Sequence, residues 1–536
     1  MSKSPSLQRM IQELCRPGAF PEPVGEVRVE QTHISVVFLT GSHAYKIKKG
    51  LDLGFLDFTT LEKRKHFCLE EVALNRPRAP GVYLGVVPVT ETEEGLVFGG
   101  SGEPLEYAVR MRQLPSENTL RSWLSRGELA PGMLERVAAR IADLHGKADR
   151  PPEMARFGAF QVVAFNAREN FSQSEPQVGV TVTPEVFERF RTLTEDRLQE
   201  LEPLMEERSD RGMTRDTHGD LHLDHVYVFP EESPSGDILV VDCIEFNERF
   251  RFADPMADIA FLAMDLIYQG REDLKEVLME AYFDASGDEE GRALLPFYVA
   301  YRAAVRGKVE GFAALQEDQP EEDRAHAEGR SRAHWMVGLG ALELPGKRPC
   351  AILVSGLPGT GKTTLGHRLE EEGVGEVLSS DEVRKRLSGL DPHVSARADF
   401  EQGLYTPERT EETYAVCLRE TRQRVLQGER VMVDATFRKE QHRRMFVDTL
   451  VSLGVPVVLL QTRADPVLVR KWMASRREDA SDAYWEVHQR MAEEWEDFGD
   501  ETRHLVVPCD MGLSPEASVA QALEGLRCRG LQGEER

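Results

Sequence analysis

The spacing of apolar positions changes character along this chain. Residues 27–50, VRVEQTHISVVFLTGSHAYKIKKG, alternate β-branched and aromatic residues with polar ones. That alternation predicts strands, with Thr40-Gly41-Ser42-His43 as a hairpin turn. Residues 1–26 read as a short helical extension, and residues 59–76 as a helix opening at a threonine cap. Strands follow at 81–90, 95–100 and 105–114. From residue 116 a three- and four-residue spacing takes over, with helices expected over 117–126, 131–148 and the charged stretch 183–208. Residues 217–266 read as a loop, two short strands joined by a turn at 230–237, a second loop and a helix. Helices fill most of 272–342, although the composition of 314–330 is that of a disordered segment.

After the breaker-rich linker PGKRP, 345–349, the pattern becomes strict alternation. Strands are expected at 351–355, 376–379, 430–434, 456–461 and 504–508. Helices are expected at 362–372, 381–388, 406–427, 439–453, 466–477, 483–496 and 515–526. Strands separated by helices predict a parallel sheet with helices on both faces. At 536 residues the chain exceeds one ordinary core. The reading is therefore a domain at 27–344, a linker at 345–349 and a domain at 350–536.

Composition narrows the setting. Hydrophobic residues make up 41% of the chain, but no run of about 18 apolar residues occurs, so no membrane span is expected. The start, MSKSPSLQRMIQELCRPG, lacks the apolar segment of a secretory signal. Seven dispersed cysteines form no C-x-x-C pair, which fits reduced thiols and a cytoplasmic protein. A net charge of −26 disfavours a nucleic acid polymer or an anionic membrane as partner. It is compatible with a cationic small substrate, and solubility is the plainer account of it.

The chemistry begins at AILVSGLPGTGKTTLGHRLEE, 351–371. Gly356, Gly361, Lys362 and Thr363 make the pattern G-x-x-x-x-G-K-S/T between a strand and a helix. Such a loop, here Gly356, Gly359, Thr360, Gly361, Lys362, Thr363 and Thr364, can turn backbone N–H groups toward phosphate oxygens. Lys362 would reach the β- and γ-phosphates of ATP, and the Thr363 hydroxyl would bind Mg2+. Asp434 ends an apolar strand, where a second Mg2+ contact sits in P-loop enzymes; the alternative is a cap of the next helix. Asp381 and Arg384, three residues apart, share a helix face near a strand end. The pair suits a base and an anchor for an anionic substrate group, or Asp381 merely stabilises a helix start. Arg476 and Arg477 near a helix end are placed to close over phosphates, or are an exposed basic turn.

In that order GLPGTGKTT, SSDEVRKRL, YTPERTEETY, VMVDATFR and RREDASDAYW resemble the P-loop kinases related to zeta toxins and polynucleotide kinases, over about residues 350–530. The resemblance implies Asp381 as catalytic base, Arg384 as a substrate contact and Arg476 or its neighbour as a lid arginine. It does not transfer a substrate.

In the first half, Lys46 on a strand, Glu71 on the next helix, His218-Gly219-Asp220 and then Asp242 resemble the aminoglycoside phosphotransferase and choline kinase family of protein-kinase-like folds, over roughly 27–340. The resemblance implies that Lys46 pairs with ATP phosphates and with Glu71, that Asp220 is the catalytic base, that Asp242 binds Mg2+ and that Asp258 supports the catalytic loop. VRMRQLP, 109–115, would be the hinge between two lobes. Lys48 lies on the same strand face as Lys46, and Glu70 neighbours Glu71, so each has a rival. One departure stands out: the family has Asn five residues after the catalytic Asp, as a metal ligand, and this chain has His225. Imidazole binds hard Mg2+ poorly. The consequence is altered metal use, one metal instead of two, or weak activity, with Asp224 and Glu245 as nearby oxygen donors.

Together the halves resemble a bacterial bifunctional fusion: α/β and α+β, a two-lobed kinase-like domain followed by a P-loop kinase sheet. The function expected is ATP-dependent phosphoryl transfer by each module to a small-molecule hydroxyl acceptor. Two other readings of the same residues are a catalytically silent nucleotide sensor regulating the P-loop kinase, and a toxin-like kinase restrained by its own N-terminal half.

Overall fold

The computed structural model describes residues 5–229, 236–317, 319–390, 406–476 and 481–533, without the side chains of 476 and 481–484. Two units result, each assembled from separated stretches. The first takes Met1–Val163, Glu202–Asp265 and Glu276–Ala293; the second takes Ala164–Leu201, Leu266–Lys275 and Leu294–Arg536.

In the first unit, β1 (Arg28–Gln31), β2 (Ser35–Leu39), β3 (His43–Lys48), β4 (Tyr83–Thr92), β5 (Gly95–Phe98) and β6 (Glu106–Arg112) form an antiparallel sheet. Its order is β1-β2-β3-β6-β4-β5. The expected hairpin is there: β2 and β3 are closed by the Thr40 N–H donating to the His43 carbonyl at 2.9 Å. The pleat of β3 sends Tyr45 and Ile47 into a core with Phe98 and with Met10 and Leu14 of the N-terminal helix Leu7–Leu14. Lys46 and Lys48 consequently face the other side. There lies the helix Leu61–Asn75, capped by the Thr60 hydroxyl on the Lys63 N–H. It buries Cys68 and Val72 against Val82, Tyr83, Val109 and Leu239. A buried Arg64–Glu106 pair at 2.8 Å fixes it to β6.

The rest of the unit is mainly helical and carries four short strands. These are β7 (Arg215–Asp216), β8 (Val226–Val228), β9 (Ile238–Val240) and β10 (Phe252–Ala253). β7 pairs with β10 and β8 with β9, both antiparallel. The turn expected between β8 and β9 falls largely outside the described residues. A sheet with one packed helix, followed by a helical part bearing short strand pairs, is the two-lobed protein-kinase-like arrangement. Arg208 is the charged hub of the helical part. Its guanidinium is 1% exposed and meets Asp254 at 2.7 Å, Asp288 at 2.6 Å and Glu290 at 2.7 Å. Removing one partner of a buried ion cluster leaves uncompensated charge. Arg208→Ala is therefore expected to destabilise the first unit by about 3–5 kcal/mol, read as a lower denaturant midpoint in equilibrium unfolding.

In the second unit, β11 (Cys350–Ser355), β12 (Glu376–Ser379), β13 (Arg430–Asp434), β14 (Val457–Arg463) and β15 (Val506–Asp510) are all parallel. The order is β12-β13-β11-β14-β15, so the strand leading into the glycine-rich loop is central. Alternate residues feed two cores. Cys350, Ile352 and Val354 pack with Leu365, Leu369, Ala522 and Leu526 of the helices Lys362–Glu371 and Pro515–Arg527. Ala351 and Leu353 share the opposite core with Tyr414, Cys417, Phe446 and Leu450. That core also takes in Phe187, Phe190, Ala300, Trp335 and Leu339. These residues precede the linker in sequence, on the helices Pro184–Asp210, Leu295–Ala314 and Glu321–Leu342.

Two local readings change. Residues 160–174 form a helix that the sequence reading omits, with Phe160, Ala164, Ala167 and Phe171 buried at intervals of four, three and four. Residues 321–330, disorder-like in composition, open the helix Glu321–Leu342. Glu321, Glu322 and Asp323 in its first turn favour the positive helix end, and its buried second half supplies the packing.

Candidate active sites

In the first unit β3 delivers two lysines to one carboxylate. Lys46 Nζ lies 3.0 Å from Glu71 Oε1 and 2.5 Å from Asp242 Oδ1. Lys48 Nζ lies 2.6 Å from Glu71 Oε2 and also meets Glu245. Glu71 is fully buried, whereas its neighbour Glu70 is only half-buried. Burial disfavours the Lys46 ammonium, but Asp242 and Glu71 outweigh it and hold its pKa well above the usual lysine range. The rivalry between the lysines thus resolves into two roles. Lys46 is the one tied to Asp242, and Lys48 locks Glu71 to Glu245.

The loop from His218 to His225 is braced at its backbone. The His218 and Gly219 N–H groups donate to Asp258 Oδ2 and Oδ1, each at 2.9 Å. Gly219 has φ +83°, and a Cβ there would fall 2.9 Å from the Phe250 carbonyl oxygen, so glycine is required. His218 donates from Nε2 to the Val241 carbonyl at 2.7 Å, and burial pushes its pKa down to about 4. Its Nδ1 then accepts the Asp220 N–H at 3.3 Å. His222 Nε2 is 3.6 Å from Asp220 Oδ2. Burial lowers the His222 pKa, but Asp220, Asp224 and Asp265 more than reverse it and bring it up to about 9. Burial, with the His222 charge, lowers the His225 pKa instead.

Asp242 follows β9 with φ 64°, a left-handed conformation that aspartate tolerates at some cost. Its N–H donates to the Tyr83 hydroxyl at 3.0 Å. Asp224 and Glu245, expected as spare oxygen donors, are engaged elsewhere. Asp224 is held by Arg121 at 2.7 Å and Glu245 by Lys48.

Behind the loop runs a buried chain that the sequence reading did not anticipate. The Tyr282 hydroxyl is 2.9 Å from His145 Nδ1, and His145 Nε2 is 3.1 Å from Asp258 Oδ2. His145 can only position, since it reaches Asp220 through Asp258 and the loop backbone. His145→Ala is expected to lower the kcat of this unit on the order of 10- to 100-fold, the cost of a small misplacement, with KM for ATP unchanged. Partial recovery in His145→Gln, measured by steady-state kinetics, separates positioning from general destabilisation.

In the second unit the glycine-rich loop lies at the carboxyl end of β11, where open parallel sheets bind ligands. Gly356 has φ +149°, and a Cβ on it would fall 2.2 Å from Thr462 Oγ1. Gly361, at φ 95°, is the N-cap of the helix Lys362–Glu371. Gly359 has φ +80°. Thr360 turns into the loop: its hydroxyl donates to the Leu357 carbonyl at 2.8 Å and lies 2.7 Å from Thr462 Oγ1. Lys362 Nζ donates to the Leu357 carbonyl at 3.0 Å, and burial lowers its pKa against the pull of Asp434. Thr363 Oγ1 donates to Asp434 Oδ2 at 2.6 Å, and Thr364 follows in the same helical turn. Asp434 is therefore no helix cap; the residue at the start of the next helix is Lys439. The two oxygens so joined are a hard donor set that fits Mg2+. His488, from the helix Ser481–Glu493, holds the loop through the Pro358 carbonyl at 2.8 Å.

Asp381 lies in the first turn of the helix Ser380–Leu387, whose cap is Ser379. Its carboxylate is 3.6 Å from Arg384 and 3.0 Å from Lys385, and is about half exposed. Lys385 was not expected there; the i,i+4 spacing was its signal. Arg476 ends the helix Pro466–Arg476, and its side chain and Arg477 lie outside the described residues.

A sequence profile described as an AAA domain matches residues 352–497. An uncharacterized protein of Mycobacterium tuberculosis and one of Mycobacterium bovis are each 30% identical over 501 residues, 94% of this chain and 95% of theirs. The chain belongs to their family. Both halves are therefore shared across it. Among solved structures, a choline/ethanolamine kinase family protein from Mesorhizobium loti aligns over 62% of this chain and 98% of its own, at 14% identity and TM-score 0.36. A gluconokinase from Sinorhizobium meliloti 1021 aligns over 34% of this chain and 94% of its own, at 19% identity and TM-score 0.26. The strand order around the glycine-rich loop and the two lysine–carboxylate sets carry the assignment: this chain is a fusion of two kinase-like modules. Its class is ATP-dependent kinase. Among the described residues no helix is long and apolar enough to cross a membrane.

Proposed function

We propose that each module transfers the γ-phosphoryl group of ATP to a hydroxyl of a small molecule in the cytoplasm. The observation that carries this is the presence of two lysine–carboxylate sets in one chain. One is Lys46 between Glu71 and Asp242; the other is Lys362 beside the Thr363–Asp434 hydrogen bond. In each set the lysine meets phosphate oxygens and the carboxylate holds a divalent cation, Mg2+ in the P-loop module. The cation, when bound, neutralises charge on the phosphates.

Asp220 and Asp381 accept the proton of the attacking hydroxyl. Asp220 is a carboxylate on a backbone fixed by Asp258, and His222, whose pKa the neighbouring carboxylates raise, stands 3.6 Å from it. Asp381 is partly exposed next to two cations, which suits a base that meets its acceptor from solvent; Arg384 then anchors an anionic group of that acceptor. The test is transfer from γ-labelled ATP to a panel of sugars, amino alcohols and nucleosides. Label in an acid-stable phosphomonoester is the expected result. ATP binding without label in any acceptor would count against the reading.

A further inference from the structure

We infer that His225 and Asp242 form a mixed nitrogen–oxygen site for a divalent cation in the first unit, one that prefers Mn2+ to Mg2+. The inference rests on the kinase reading of that unit and adds to it the chemical class of the cation.

His225 immediately precedes β8, and Asp242 lies just after β9. The two strands pair, Val226 with Val240, and the Val241 N–H donates to the His225 carbonyl at 3.0 Å. The hairpin therefore fixes the two residues side by side. His225 Nδ1 is 2.8 Å from the Asp220 carbonyl oxygen, which only an N–H can satisfy. The ring nitrogen that keeps its lone pair is then Nε2. A backbone carbonyl fixing one ring nitrogen so that the other can bind is how metal-ligating histidines are held.

Nε2 faces Asp242 Oδ2 at 3.8 Å. That is too long for a hydrogen bond, and short enough for one ion about 2 Å from each atom to bridge them. The other oxygen of Asp242 is taken by Lys46 at 2.5 Å, so Oδ2 is the one left toward the imidazole. Tyr83, through the Asp242 N–H, fixes that carboxylate from behind. Imidazole nitrogen binds every divalent first-row transition cation, Mn2+ least tightly among them, better than it binds Mg2+, which selects oxygen. The P-loop module offers the contrast within the same chain: Thr363 and Asp434 present only oxygen.

The test uses the full-length chain with Mn2+ and a non-hydrolysable ATP analogue, examined by pulsed electron paramagnetic resonance. Wild type is expected to show bound Mn2+ with a directly coordinated imidazole nitrogen. His225→Asn is expected to lose that coupling and to reduce the Mn2+ over Mg2+ preference at least tenfold in competition binding. His225→Gln should behave the same way, and an unchanged unfolding midpoint shows that each variant is folded. Absence of nitrogen coupling in wild type, or the same coupling in His225→Asn, overturns the inference. Nitrogen coupling without any transfer by this unit would keep the site and remove the kinase reading. Transfer with Mg2+ and no coupling would keep the kinase reading and remove the site.

Discussion

Asp220→Asn is expected to lower phosphoryl transfer by the first unit by about 10²–10⁴-fold, the usual contribution of a positioned base, while ATP still binds. The substitution preserves shape, and the loop keeps its backbone braces. Its braces are backbone bonds: His218 and Gly219 to Asp258, the Asp220 N–H to His218, and the Asp220 carbonyl to His225. What changes is proton acceptance. An amide cannot take the acceptor's proton, and His222 loses one of the carboxylates that raise its pKa. Initial rates with γ-labelled ATP measure the first effect. An unfolding midpoint close to wild type shows that the second does not unfold the loop.

Lys362→Ala is expected to remove transfer by the P-loop module, by about 10²–10³-fold, as for loss of one preorganised electrostatic contact. Lys362 is half-buried, and desolvation lowers its pKa. Its ammonium donates to the Leu357 carbonyl within the loop itself. That is a weak match for a desolvated cation, and phosphate oxygens are a far better one. ATP affinity at this module should fall with the rate, and ADP affinity less, because the lysine reaches the terminal phosphates. Transfer by the first unit should be untouched. Rates on acceptors specific to each module, with nucleotide affinity by calorimetry, check both statements.

Much of the fold was legible in the sequence because its signals are local. The Thr60 cap, the alternation along β3 and the strand–helix alternation after residue 350 each depend on neighbours a few positions away. The glycine-rich loop was legible for the same reason, as was the pairing of Asp381 with Arg384. What escaped depends on distant partners. Glu245 is paired with a lysine 197 positions away, and His145 meets Asp258 across 113. No spacing rule connects such residues. The helix Phe160–Ser174 carries a regular apolar stripe, but exposed Phe165 and buried Asn170 and Ser174 blur the contrast between its two faces. The shared core of Ala351 and Leu353 with Trp335 escaped too, since a breaker-rich linker marks where the chain turns and says nothing about which helices a sheet face will recruit.

The central claim is that one chain holds two centres of phosphoryl transfer. It is tested most directly by incubating a small-molecule extract with γ-labelled ATP and wild type, Asp220→Asn or Lys362→Ala, then separating the labelled products. The account predicts that Asp220→Asn loses at least one labelled product that Lys362→Ala still makes. Survival of every labelled product in Asp220→Asn would contradict it and leave the first unit a nucleotide-binding module without transfer activity.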